Sequence, residues 1–283
     1  MKGRRWERAN IWIAQWRQYK AGKRIYDRHK ITSHEYTGSP FHKDMTWYNK
    51  AYSEQFEITT SIVDDIIEKL DKVKPPDERT MSAYFWGYVK KIEAEVFRQV
   101  IEKTREMFMS ARENAMDEME VSVPFTAAED NLLRQITADI FTNVNDSMRA
   151  VYDTARMRFI NTMNLPPDER RLEIEAIIDA IISRATTTFR INMASYYNTI
   201  KNEYYKIAEQ LGEKHLYIWV NPMDDRTTPI CREIVERSAK GLTIDEMKAL
   251  IREVAMKYNS KTDLDKTPFY PHFGCRSTLK IKD

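Results

Sequence analysis

The sequence predicts a mainly α protein, an elongated bundle of long helices followed by a small α+β C-terminal module. Three observations carry that prediction. No glycine occurs between Gly87 and Gly212, and only Pro124, Pro166 and Pro167 interrupt the span, which leaves room for long helices and little else. Apolar residues recur along it in steps of three and four. Turn-forming and metal-capable residues are concentrated after Trp219, where both cysteines, Cys231 and Cys275, and four of the ten prolines fall.

The chain divides into a basic aromatic arm and linker (1–40), a long-helix body (41–212) and the C-terminal module (213–283). The arm holds ten Lys/Arg against Glu7, Asp27 and Glu35, so it carries +7 while the rest carries −5 of the net +2. A basic arm on a mildly acidic body suits a polyanion or an acidic protein surface. Its candidate DNA or partner contacts are Arg4, Arg5, Trp6, Arg8, Trp12, Trp16, Arg17, Lys20, Lys23 and Arg24, with basic groups for phosphates and aromatics for stacking. Trp12, Trp16 and Tyr19 follow helical spacing, which equally suits a stripe docked on a protein face. His29, His34 and His42 are too irregularly spaced for a metal site and read as surface residues.

A helix is expected over 47–73, with Phe56, Ile62, Val63, Ile66, Ile67 and Leu70 on its apolar side. Pro75-Pro76-Asp77-Glu78 stops it and starts the next, because proline is tolerated in a first turn and acids are favoured there. The first long helix covers about 80–119, with Phe85, Val89, Ile92, Val96, Phe97, Ile101, Phe108, Ala111 and Ala115 as its stripe. The second opens at the capping box Thr126-Ala127-Ala128-Glu129 and carries Leu133, Ile136, Ile140, Val144, Met148, Val151, Ala155, Phe159 and Met163. The third runs from about Asp168 to Leu211 through Ile174, Ile178, Ile181, Ala185, Phe189, Met193, Tyr196, Ile200 and Ile207, with Gly212 as its C-cap. These Met and aromatic positions read as core; no cofactor box is among them.

His215–Val220 is the first segment with strand character, with His215 at its exposed start. A short helix from about Pro229 to Ala239 follows the acidic turn Asp224-Asp225. The capping box Thr243-Ile244-Asp245-Glu246 opens another to about Tyr258, and a last strand spans Ser277 to Ile281. Two cysteines make no disulfide framework, so a reducing compartment is the default. No apolar run reaches the ~18 residues of a membrane helix, and no signal-peptide pattern opens the chain.

Cys231, His272 and Cys275 supply three metal-capable groups, His272 and Cys275 in His-x-x-Cys spacing. A closed zinc site wants a fourth ligand, from Asp224, Asp225 or water. The simpler alternative is two reduced cysteines in a small core, with His272 hydrogen-bonded nearby. A Cys231–Cys275 disulfide and a Cys/His nucleophile are further readings, the latter with no third orienting residue marked out. Asp225, Arg226 and Arg276 fit an ion-pair and turn network, since an Arg fork can brace a carboxylate or carbonyls.

With these residues assembled, positions 180–280 resemble the head-morphogenesis domain of the phage Mu F-like minor head proteins. The resemblance runs through Arg184-Ala185-Thr186-Thr187-Thr188, Asn192, Gly212, Trp219-Val220, Asp225-Arg226-Thr227, Cys231, Pro271-His272 and Cys275-Arg276. The signature carried over is Trp219, Asp225, Arg226, Cys231, His272, Cys275 and Arg276, in a structural role. Thr228 and Ser277 stand where the family often has further cysteines, a paired loss expected of positions that face each other. That leaves three candidate ligands and disfavours zinc. Thr188 departs from a common Arg-Thr-Glu run, and residues 242–266 lengthen the segment between blocks. The resemblance implies a non-enzymatic minor head protein of a tailed bacteriophage, in the head interior or at the portal vertex of the virion and in host cytoplasm during assembly. Its implied partners are the portal protein, the major capsid protein and packaged double-stranded DNA, with no cofactor and no membrane. Alternatives are a DNA-binding virion accessory acting through the arm, and a zinc-containing enzyme or toxin-like module.

Overall fold

The structure, a computed structural model, describes residues 60–72, 77–210, 214–221, 223 and 227–282. The helix expected over 47–73 is described as α1 (Thr60–Lys72); its earlier part lies outside the described residues, as do the arm and Gly212. Three long helices follow: α2 (Glu78–Glu118), α3 (Ala127–Asn161) and α4 (Pro167–Gln210). At about 1.5 Å per residue, the 41 residues of α2 and the 44 of α4 make the body elongated, as the lack of breakers requires.

Local chemistry sets their ends. The Asp77 side chain accepts from Thr80 N–H at 2.7 Å and caps α2. The α3 capping box is reciprocal: Thr126 N–H donates to Glu129 Oε2 at 2.6 Å, and Glu129 N–H to Thr126 Oγ1 at 3.2 Å. A short 3-10 turn (Thr162–Asn164) closes α3. The Arg170 guanidinium then donates to the Thr162 and Leu165 carbonyls, bracing the reversal into α4.

Each long helix packs against the other two. Their shared core includes Val100, Phe108, Ile140, Val144, Ile174, Ile181 and Ala185, all essentially without solvent contact. α1 lies across the start of α2 and α4 and buries Ile66 and Leu70. Polar links fix it there, Lys91–Asp65 at 2.9 Å and Arg171–Asp64 at 2.6 Å.

Three stripe residues face outward instead. Phe97 is 41 % exposed, Ile101 45 % and Ile207 52 %. The inward places belong to Val100 in α2 and to Tyr204, Tyr205 and Ala208 in α4. Neighbours in sequence sit about 100° apart around a helix, so a stripe displaced by one residue leaves the core. Phe97 keeps a partner on the rim, its ring 4.3 Å from that of Phe141.

The C-terminal module comprises β1 (Tyr217–Val220), α5 (Pro229–Ser238), α6 (Ile244–Lys257) and β2 (Thr278–Ile281). The strands pair antiparallel, with Trp219 opposite Leu279 and Val220 opposite Thr278. β1 starts at Tyr217, two residues later than expected, and His215 before it is half-buried. The module packs on the last turns of α4. Asn198 donates to the Ser277 carbonyl at 3.1 Å and accepts from Thr278 Oγ1 at 3.0 Å and Leu279 N–H at 3.2 Å. Lys201, fully buried, reaches Glu118 at 2.7 Å, and Tyr205 also donates to Glu118. Lys280 of β2 approaches the same carboxylate at 3.5 Å. One apolar core runs from Ile66 through to Leu279.

Candidate metal centre

The site sits where the start of α5 meets the loop before β2. Thr228 caps α5, its hydroxyl accepting from Cys231 N–H at 3.3 Å, and Pro229 occupies the first turn, where its missing N–H costs nothing. This fixes Cys231 on the inner face of α5 beside Ile230 and Ile234, with its side chain fully buried. Across from it the chain turns tightly: Cys275 N–H donates to the His272 carbonyl at 3.2 Å, and Gly274 takes φ +74°. That left-handed conformation suits glycine. The Tyr270 hydroxyl accepts from Gly274 N–H at 2.8 Å and holds the turn in place.

His272, Cys231 and Cys275 converge, with all three ligand atoms within 4.8 Å of one another. Cys231 Sγ lies 2.9 Å from His272 Nε2 and 3.7 Å from Cys275 Sγ. His272 Nδ1 sits 2.9 Å from the Phe273 carbonyl. A proton on Nδ1 donated there leaves the Nε2 lone pair facing the two sulfurs, the arrangement of a metal-binding imidazole. Thr228 Oγ1 is 3.0 Å from the same Nε2, and Ser277 Oγ donates to Cys231 Sγ at 3.1 Å.

Two thiols and an imidazole are a donor set for a borderline ion such as Zn²⁺. Tetrahedral bonds of about 2.3 Å to sulfur put two thiolates roughly 3.8 Å apart, which the sulfur spacing already meets. The imidazole would move out by about 0.6 Å to reach the matching sulfur–nitrogen separation near 3.5 Å. The residues therefore fit an ion with three protein ligands. Among the described residues no fourth Cys, His or carboxylate joins the group; hydroxyls of Thr228 and Ser277 stand beside it instead.

Protonation follows from burial and sharing. Cys231 is raised well above an ordinary thiol, because it hydrogen-bonds to Cys275 and because it is buried. Burial also pushes Cys275 up, but hydrogen bonds from Cys231 and Ser277 outweigh it and leave its pKa lowered. The pair thus holds at most one negative charge. Burial disfavours the charged imidazole of His272, its bond to Cys231 outweighs that, and the pKa ends above the ordinary value. A bound cation would override this balance and remove both thiol protons.

Of the residues singled out from sequence, Trp219 is buried on β1, and its backbone N–H donates to Ser238 Oγ at 3.0 Å. Arg276 is buried next to Cys275. Asp224, Asp225 and Arg226 lie outside the described residues, as do His29, His34, His42 and every arm position from Arg4 to Arg24. The Arg184–Thr188 block and Asn192 do not join the site. They lie mid-way along α4 against α3, where Thr188 donates to Ser147 at 2.7 Å and Asn192 accepts from Asn143 at 2.8 Å. Residues 242–266, the lengthened segment, hold α6.

Sequence reasoning missed two organisers. Asn221 donates to Ser277 Oγ at 2.7 Å and accepts from Thr227 Oγ1 at 2.8 Å, tying both halves of the site together. Asn198 anchors the β2 half to α4 through the Ser277 carbonyl. The available signal was an amide in a turn after a strand, and an amide on an otherwise apolar helix face. No protein-family model, curated protein or solved structure matches this chain.

Proposed function

We propose that this chain is a minor head protein of a tailed bacteriophage, bound to the portal and the capsid interior during head assembly, its C-terminal module serving attachment and not catalysis. One observation carries the reading. Trp219, Cys231, His272, Cys275 and Arg276, the described part of the signature, all fall in one module packed on the end of a long helical body. Both thiols are buried, Cys231 at 0 % and Cys275 at 2 % exposure, which favours a bracing role over a nucleophile that substrate must reach. Long helices are suited to bridging parts of a larger assembly, and the basic arm to packaged DNA or an acidic portal surface. Zinc at Cys231, His272 and Cys275 would brace the same fold. The test is co-purification. Heads assembled with this protein should contain it in a fixed, low ratio to portal, and its absence from procapsids and mature heads would end the reading.

A further inference from the structure

The two cysteines of the chain, both thiols, come from segments far apart in sequence and meet with their sulfurs 3.7 Å apart. We propose that Cys231 and Cys275 are a reversible redox pair, closing to a disulfide that staples α5 to the turn before β2 when the chain meets a small disulfide oxidant such as oxidised glutathione.

Placement gives the first argument. Each cysteine is anchored by its own segment. Cys231 N–H donates to the Thr228 hydroxyl in the cap of α5, and Cys275 N–H to the His272 carbonyl across the turn. The sulfurs already touch, and a bond of about 2.05 Å needs a further approach of only about 1.7 Å. Two side chains and a turn share that movement, and no helix has to shift.

Access gives the second. Both thiols are buried, yet the chain beside them is surface. His272, whose Nε2 lies 2.9 Å from Cys231 Sγ, is half-buried, as is Gly274, and Phe273 between them is 65 % exposed. Opening this one turn uncovers the sulfurs while α5 and β2 stay folded. Macromolecular substrates are kept out, and a small oxidant is admitted.

The chemistry balances. One protein thiolate attacks oxidised glutathione, forming a protein–glutathione S–S bond and releasing one glutathione thiolate. The second protein sulfur then attacks the protein sulfur of that mixed disulfide, and the other glutathione leaves. Two electrons pass from the protein dithiol to the glutathione disulfide, and both thiol protons end on the released glutathiones. A metal ion would draw on the same sulfur lone pairs, so the pair is either metal-bound or oxidised, never both.

The consequence is a module locked across its two halves. The bond closes residues 231–275, which hold α6, into a loop, and β2 beyond it is tied to α4 through Asn198 and to α2 through Glu118. This goes beyond the attachment role proposed above. It rests on the sulfur geometry alone and stands if the phage reading fails.

Redox titration of the full chain tests it, with reduced and oxidised glutathione in the presence of EDTA and equilibrium approached from both sides. Alkylation traps the thiols, and mass spectrometry maps the linked peptides. The constant for an intrachain Cys231–Cys275 bond should be at least about a hundred-fold larger in native buffer than in concentrated urea, because only the folded module holds the sulfurs together. An equal or smaller constant in native buffer would overturn the proposal. So would links formed only between chains.

Discussion

The helical body and the C-terminal module are buried by different means. Inside the body an aliphatic and aromatic core repeats over many turns of α2, α3 and α4, with polar side chains such as Thr104, Arg112, Glu129 and Thr186 buried singly or in pairs along it. The module and its joint to the body instead bury Asn198, Lys201, Asn221, Arg276, Ser277 and Thr278 among a few large rings. A long apolar seam spreads its stabilisation over many interchangeable contacts. A buried polar network concentrates it in a few that have no substitute, because an orphaned partner keeps its full desolvation cost. The apolar seam of the body is therefore tolerant and the joint brittle.

The largest test of that contrast is Lys201→Ala, which empties a fully buried site and takes the nearer cation from Glu118, leaving it Tyr205, the Ile281 N–H and Lys280 at 3.5 Å. The cavity and the lost charged hydrogen bond together should cost about 3–5 kcal/mol in urea unfolding, whereas Lys201→Met with Glu118→Gln should regain more than half. A single-variant loss no greater than that of an exposed lysine would erase the distinction. Next comes Ile181→Ala in the body, expected to cost about 2–4 kcal/mol, beside Ile207→Ala at under about 0.5 kcal/mol. The body is read as a tolerant seam only if the Ile181 loss adds to that of Lys201→Ala within about 0.5 kcal/mol.

The body also holds a buried charge cluster, and it sharpens the comparison through pH. Glu129 pairs with Arg112 at 2.8 Å, accepts from Tyr204 and closes the α3 capping box. Burial raises its pKa, and hydrogen bonds from Tyr204, Arg112 and Thr126 outweigh that and leave it lowered. A depressed carboxylate contributes stability present above its unfolded pKa, near 4.3, and lost as pH falls through the folded value. Glu129→Gln should cost about 1–3 kcal/mol at pH 7 and flatten the acid limb of stability below about pH 4.3. An unchanged acid limb in the variant would place the titration elsewhere.

The smallest effect is expected at the metal-capable group. Trp219, Ile234, Ile251, Val254 and Phe269 already fill the module core, so folding does not hang on an ion as in closed four-ligand sites. Chelator treatment of purified protein should move Tm by less than about 2 °C, against the many degrees expected when a closed site is emptied. A collapse of the module on chelation, with zinc found by elemental analysis, would reverse that ranking.

Much of this was legible in sequence. Capping boxes at Thr126 and Thr243, prolines at Pro167 and Pro229, and the glycine-free span fix element ends through chemistry within four residues. The grouping of Cys231, His272 and Cys275 was legible because so few residues of those types exist. Which side of α2 Ile101 occupies was not, since one apolar residue among several in phase says little until the neighbouring helices choose a face. Asn198 was equally silent, because its partners Ser277, Thr278 and Leu279 are some eighty positions away.

The sequence by itself determined that the chain makes long helices and then a small mixed module, for periodicity and capping act over one or two turns. Only the tertiary structure decided that Glu118, Lys201 and Lys280 share one joint, and that Thr228 and Ser277 flank the Cys–His group. Such pairings depend on how helices pack side by side, a choice made by the sum of all apolar faces at once and written in no single stretch of residues.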